Sequence, residues 1–172
     1  MAGKVFIVVE DTYARYALER VLKRHSVNLS KVEIRHLAIC SSKMSRIIGA
    51  HIRAGNHVII IADAEREPRV QREQWVRQRH GLGSQVDIIV VDPCMEALAC
   101  EALGLRGCRG KPCGDGPLQA VNTYWRRRHG RDYDKRFLPS LLLEADEKGS
   151  LSNVLEFNRL LRIIAAKTSE SG

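Results

Sequence analysis

No apolar run in this sequence approaches the roughly 20 residues that a membrane helix needs, which excludes a helix-spanning membrane protein. The N-terminal stretch carries only the short run Val5–Val9, with acids directly after it, and reads as a strand rather than a signal peptide. There is no internal repeat and no low-complexity segment. The histidines form neither an HxH nor an HExxH pattern, so none is assigned as a metal ligand. The common zinc spacing CxxC is also missing. Five cysteines without a secretory signal are expected to be free thiols in a reducing, cytoplasmic setting, and an odd number cannot all pair within one chain.

What is present is ordinary globular composition, 44% hydrophobic and 28% charged over 172 residues. That length buries a real core without staples. The formal charge of +8 attracts polyanions and speeds their capture.

Apolar runs alternate with amphipathic stretches through the first half. Val5–Val9 reads as a buried strand, and the spacing of Tyr13, Tyr16, Ala17 and Val21 predicts a helix over 12–24, which Thr12 can cap. Val32, Ile34 and the run Leu37–Ile39 give a second strand. Ser41 and Ser42 precede a helix carrying Met44, Ile47, Ile48 and Ile52, and Gly55 ends it. His57–Ala62 is a third strand. Pro68 suits the first turn of a helix running to about His80. Val86–Val91 is a fourth strand, and Pro93 opens a helix with Met95, Leu98, Ala99 and Leu103. This order predicts an α/β fold, a mostly parallel four-stranded Rossmann-like sheet with helices on both faces. The texture changes after Gly104. Residues 1–105 form the α/β domain, and 106–172 read as a Gly- and Cys-rich loop followed by C-terminal helices over 118–128 and 151–166. The apolar stripe Leu151, Val154, Leu155, Leu160, Leu161, Ile163 and Ile164 needs a partner, either this α/β body or a second copy in an oligomer. Residues 167–172 are polar and read as a frayed tail.

In open parallel sheets ligands bind outside the carboxyl ends of the strands. Three of the four strands here finish in acids: Glu10-Asp11, Asp63-Ala-Glu65 and Asp92-Pro-Cys-Met-Glu96. Crowded carboxylates repel one another unless protons or cations compensate, and Mg²⁺ suits one or two of them while keeping several waters. Asp63 and Glu65, two apart, can face one ion. Glu10, at a buried strand tip, can serve as general acid or base. Helix capping competes for Asp11 and Asp92, surface ion pairing for Glu65, and a helix-dipole role for Glu96.

With these residues in place, the chain resembles the Toprim domain, the metal-binding α/β fold of topoisomerases, primases and several nucleases. The resemblance lies in the strand ending in Glu10, the later strand ending in Asp63-Ala-Glu65, and Asp92-Pro-Cys-Met-Glu96, which is similar to the Pro-x-x-Glu helix start of stand-alone Toprim proteins of the OLD/RloB-related nucleases. Asp11 stands where the family has Gly, and Glu65 where it has Asp. The resemblance implies Mg²⁺- or Mn²⁺-dependent phosphodiester chemistry on nucleic acid, with Glu10 catalytic and Asp63, Glu65 and Glu96 as metal ligands. The alternative is a non-catalytic Toprim-like module that binds metal or nucleic acid within a larger complex.

The stretch Tyr124–Phe137 interleaves basic and aromatic residues, the pattern of a DNA or RNA surface. Its aromatics are expected to pack inward, and Arg126, Arg127 and Arg128 to meet phosphate. Arg66, Arg69, Arg72, Arg77 and Arg79 form a second basic edge or i,i+4 pairs. For Cys108 and Cys113 a free-thiol loop is expected. A Cys108–Cys113 disulfide is the alternative, as is a zinc site completed by Cys94, Cys100 or His129.

Overall fold

The computed structural model describes residues 3–169 of the chain. Four strands, β1 (Val5–Val9), β2 (Val32–His36), β3 (His57–Asp63) and β4 (Val86–Val91), form one all-parallel sheet in the order β2-β1-β3-β4. Helices α1 (Thr12–Arg24), α2 (Ser42–Arg53), α3 (Arg69–His80), α4 (Glu96–Ala102), α5 (Pro117–His129), α6 (Leu138–Gly149) and α7 (Leu155–Ser169) cover it. The expected α/β architecture is therefore present.

Alternate residues of each strand point to opposite faces, so the sheet divides the apolar interior in two. Val5, Ile7 and Val9 meet Ile59, Ile61, Ile89 and Val91 on one face, against α1 and α4 to α7. Phe6, Val8, Val58, Ile60 and Ile88 meet Met44, Ile48 and Val76 of α2 and α3 on the other. The first face is much the thicker. The helices after residue 116 share its core with α1 and α4, and Trp125, Phe157 and Leu142 are fully enclosed there. Asp146, itself buried, ties α6 to α1: it accepts from Arg24 Nε at 2.7 Å, contacts His25 Nε2 at 2.8 Å, and accepts the Leu151 N–H at 2.8 Å.

Local chemistry accounts for most helix ends, with some departures from expectation. Asp11, not Thr12, caps α1 by accepting the Ala14 N–H at 2.8 Å. Ser41 caps α2 through the Met44 N–H. β2 stops at His36, and Leu37 and Ile39 are buried as loop residues instead. Pro68 precedes α3, and Gly81 closes that helix in the left-handed conformation. Asp92–Pro93 is a cis peptide and α4 starts only at Glu96, so Pro93 does not open the helix and Asp92 does not cap it. The stripe from Leu151 divides into a 3₁₀ turn, Leu151–Asn153, and α7, which runs through Ser169; of the expected tail, residues 170–172 lie outside the described residues.

The cysteines correct the free-thiol expectation. Cys94 is bonded to Cys113 and Cys100 to Cys108, and Cys40 alone is free and exposed. Neither a Cys108–Cys113 bridge nor a Cys108/Cys113 zinc pair forms, because Cys113 lies against the start of α4 and Cys108 against its end.

Helices α6 and α4 approach each other tightly at Gly149, where a Cβ would sit 1.6 Å from the Ala102 carbonyl oxygen of α4. Gly149→Ala must push α6 away from α4. It is expected to cost about 2 kcal/mol, or roughly 4–8 °C in Tm, in thermal unfolding followed by circular dichroism.

Candidate functional site

The chain leaves β1 for β2 on one side and then crosses to β3 on the other. The neighbouring ends of β1 and β3 are thus the point where the winding reverses, and where such sheets open a crevice. Glu10 and Asp63 stand there. Glu10 Oε2 accepts the Asp63 backbone N–H at 2.7 Å, locking the two strand tips together. Arg72 of α3 clasps both: its Nε donates to the Asp63 carbonyl at 3.1 Å and its Nη2 lies 3.6 Å from Glu10 Oε1, while its guanidinium rests over the Trp75 ring.

A cleft of about 900 Å³ opens beside this pair. Asp63, Glu65, Arg66 and Arg72 form one wall, Cys94, Glu96 and Cys113 a second, and Tyr133 and Lys135 a third, with Leu118, Gln119 and Asn122 of α5 beyond. Two backbone hydrogen bonds, Ala64 N–H to Val91 O at 2.8 Å and Glu65 N–H to Pro93 O at 3.0 Å, join the first two walls. Glu10 lies behind Asp63, in a small recess shared with Asp11 and Met95.

Electrostatics single out the strand tips. Burial pushes the Asp63 carboxyl well above its ordinary range, and Glu10, Glu96 and Asp11 push it further, against the opposing charge of Lys135. Burial also raises Glu10, and Glu65 adds to this; the Asp63 N–H and Arg72 offset only part of it. Lys135 Nζ pairs with Asp11 Oδ2 at 2.9 Å. Burial works against the Lys135 charge, but Asp11, Glu96 and Asp63 outweigh it and hold the ammonium protonated.

The expected metal ligands are differently placed. Glu96 is buried, the first residue of α4, with Oε1 accepting from Tyr133 Oη at 3.2 Å. Glu65 is exposed in a left-handed conformation (φ 60°), where its backbone serves the loop and its side chain lies on the cleft rim. Asp63, Glu65 and Glu96 therefore surround the cleft without converging. Among the described residues, three donor atoms of the His/Cys/Asp/Glu type come within 4.8 Å of one another at Cys94, Glu96 and Cys113, and not at the acids alone. Mg²⁺ needs only one or two direct carboxylates, and the hard oxygen donors of Asp63 and its neighbours fit it.

Arg126, Arg127 and Arg128 sit on the exposed last turn of α5, outside the cleft lining. Arg126 lies one turn beyond Asn122 and pairs with Asp132. The aromatics beside them turn inward as expected: Trp125 is buried, and Tyr124 Oη donates to Glu144 at 2.8 Å. Of the α3 arginines, Arg77 makes the i,i+4 pair with Glu73 at 3.1 Å, and Arg79 donates to the Cys40 carbonyl.

Several site residues carried no local signal. Lys135, Tyr133 and Arg72 reach the strand tips only through the tertiary fold. So does a brace beside the cleft, where Arg109 grips buried Glu156 through two bonds of 2.6 and 3.0 Å and Glu101 through one of 2.8 Å.

The raised carboxyls set a pH dependence. The folded chain keeps protons on Glu10 and Asp63 that the unfolded chain has released, so stability falls as pH climbs from the ordinary carboxylate range through the raised values. Asp63→Asn removes the larger share. It is expected to raise Tm by roughly 2–4 °C at pH 8, a gain that fades by about pH 4, in melts taken across that range. No family model, no curated protein and no solved structure matches this chain, and the site is therefore read from its own geometry.

Proposed function

We propose that the cleft carries out Mg²⁺- or Mn²⁺-dependent phosphodiester chemistry on nucleic acid, in the manner that the resemblance to Toprim domains implies. One observation carries the reading: at the reversal point of the sheet burial holds Glu10 and Asp63 above their ordinary range, and at Asp63 the neighbouring carboxylates of Glu10, Glu96 and Asp11 add to it. A divalent cation offsets the repulsion among these carboxylates and, when bound, stabilises the charge that develops on phosphate oxygens.

Asp63 is the residue to hold it, with Glu96 and Glu65 on the adjoining walls of the cleft. Glu10 is suited to proton transfer. Its Oε2 is fixed by the Asp63 N–H, and burial raises its affinity for protons, which suits it to carry one to or from a phosphate-bound oxygen. Lys135 and Arg66 place cationic groups at the cleft wall for a phosphate, and Arg72 holds the two strand tips rigid. Outside the cleft, Arg127 and Arg128 with Arg126 extend a basic track for the polyanion backbone.

The test is cleavage of single- and double-stranded DNA and RNA with Mg²⁺ or Mn²⁺. Asp63→Ala is expected to abolish turnover, and Glu10→Gln to lower kcat by about 10²–10⁴-fold, both with unchanged circular dichroism. Unaltered turnover in Asp63→Ala removes this mechanism. Salt-sensitive binding without cleavage under either cation would support the non-catalytic module instead. Replacing Arg126, Arg127 and Arg128 by Ala together should weaken binding to all sequences alike and flatten its salt dependence, by about one unit of slope for each phosphate that is no longer neutralised.

A further inference from the structure

The wall of the cleft opposite Asp63 is built from two cysteines and a buried carboxylate. Cys94 lies in the turn after β4, two residues before Glu96, and Cys113 in the 3₁₀ turn that precedes α5. They are joined as a disulfide, with Cα atoms 5.9 Å apart. A sulfur in a disulfide has no proton to donate and no charge to offer a metal. Yet Cys113 Sγ lies 4.0 Å from Glu96 Oε2, and the donor atoms of Cys94, Glu96 and Cys113 all fall within 4.8 Å of one another. With metal–sulfur and metal–oxygen distances of about 2.3 and 2.1 Å, a tetrahedral zinc separates its ligand atoms by roughly 3.6–3.8 Å. The Cys113–Glu96 spacing is already close to that. The two sulfurs must part.

We propose that reduction of the Cys94–Cys113 disulfide creates a binding site for a zinc-class divalent cation, with Cys94, Cys113 and Glu96 as its ligands. A dithiol reductant transfers two electrons to the S–S bond, which breaks to give two thiols while the reductant closes to its own disulfide. Metal binding then releases the two thiol protons to solvent. Three protein ligands leave one tetrahedral position open, and because all three line the cleft, that position faces the space where a substrate or water enters. Tyr133 Oη, donating to Glu96 Oε1 at 3.2 Å, orients the carboxylate, as partners of metal ligands do.

Two thiolates select zinc or cobalt over magnesium. The site is thus chemically distinct from the all-oxygen cation position at Asp63, and it stands whether or not the cleft cleaves phosphodiesters. Glu96 is common to both, so a zinc-class ion in the reduced protein draws this carboxylate away from the Asp63 side. A disulfide oxidant that takes two electrons from the two thiolates, and is itself reduced to two thiols, re-forms the Cys94–Cys113 bond and expels the ion.

The test is Co²⁺ titration of the full chain in its oxidised form and after reduction with a dithiol that is then removed anaerobically. The reduced protein is expected to develop a near-ultraviolet thiolate-to-cobalt charge-transfer band that saturates at one equivalent and is displaced by Zn²⁺. The oxidised protein should develop none. Cys94→Ser and Cys113→Ser should each weaken binding by at least roughly 100-fold, and Glu96→Gln and Tyr133→Phe by roughly 10- to 100-fold with the band retained. Cys100→Ser with Cys108→Ser should leave the titration unchanged. Because the cysteine variants can lose stability, Glu96→Gln keeps both disulfides and reports on the same site. A folded, reduced wild-type protein with no saturable band at millimolar Co²⁺ overturns the proposal, as does a band that persists undiminished in Cys94→Ser.

Discussion

Glu10 and Asp63 are held together by a 2.7 Å hydrogen bond at the one place where the sheet reverses its winding. Burial raises both carboxyls, and at Asp63 the neighbouring acids add to it. The surrounding cations offset only part of this: Arg72 lies 3.6 Å from Glu10, and Lys135 lies 2.9 Å from Asp11. An arrangement that costs stability at neutral pH is a poor way to hold two strands together, since apolar residues at the same tips would do so without penalty. It suits the cation and proton chemistry proposed for the cleft. The architecture around it follows. The β3 and β4 loops are bonded to each other so that Asp63 and Glu96 line one cleft, and Arg72 fixes the backbone from the other side.

The segment after residue 105 belongs to this site as much as to the core. Its helices bury their apolar faces against α1 and α4. Its connecting stretch brings Tyr133 to Glu96 and Lys135 to Asp11. Two disulfides and the Arg109–Glu156–Glu101 brace pin the intervening Gly-rich loop to α4 and α7. Arg109 is strongly held in its charged form by these two carboxylates despite its burial, so the brace persists at every pH at which the carboxylates are ionised. A small four-stranded sheet thereby acquires a walled cleft that the sheet alone could not form.

β1, β3 and β4 were legible because each is a nearly continuous apolar run buried on both faces, and β2 because it alternates, burying Val32 and Ile34 on one face. The carboxylates at their tips were legible because an acid directly after such a run has few places to go. The start of α4 was not. Asp92-Pro93 has the composition of a helix start, but the β4 turn occupies both residues and the helix begins at Glu96. α6 was missed because Leu141, Leu142 and Leu143 stand in an unbroken run that shows no helical period, although Leu141 and Leu142 are buried and Leu143 only in part. The disulfides were missed for a topological reason. Spacing along the chain suggested Cys108 with Cys113, whereas α4 places Cys94 and Cys100 at opposite ends, and the loop closes back over both. Lys135 sits in a basic stretch that reads as surface, and nothing local marks it as the cation nearest the acids.

The most direct measurement is a ¹³C NMR titration of the Glu10 and Asp63 side-chain carboxyls, with and without Mg²⁺. Without the cation, both should titrate above the ordinary carboxylate range, Asp63 the higher. With Mg²⁺, Asp63 should move down as the ion displaces its proton, and Glu10 should follow by a smaller amount. Ordinary values for both groups, unmoved by Mg²⁺, would contradict the proposal that these buried strand tips hold a cation.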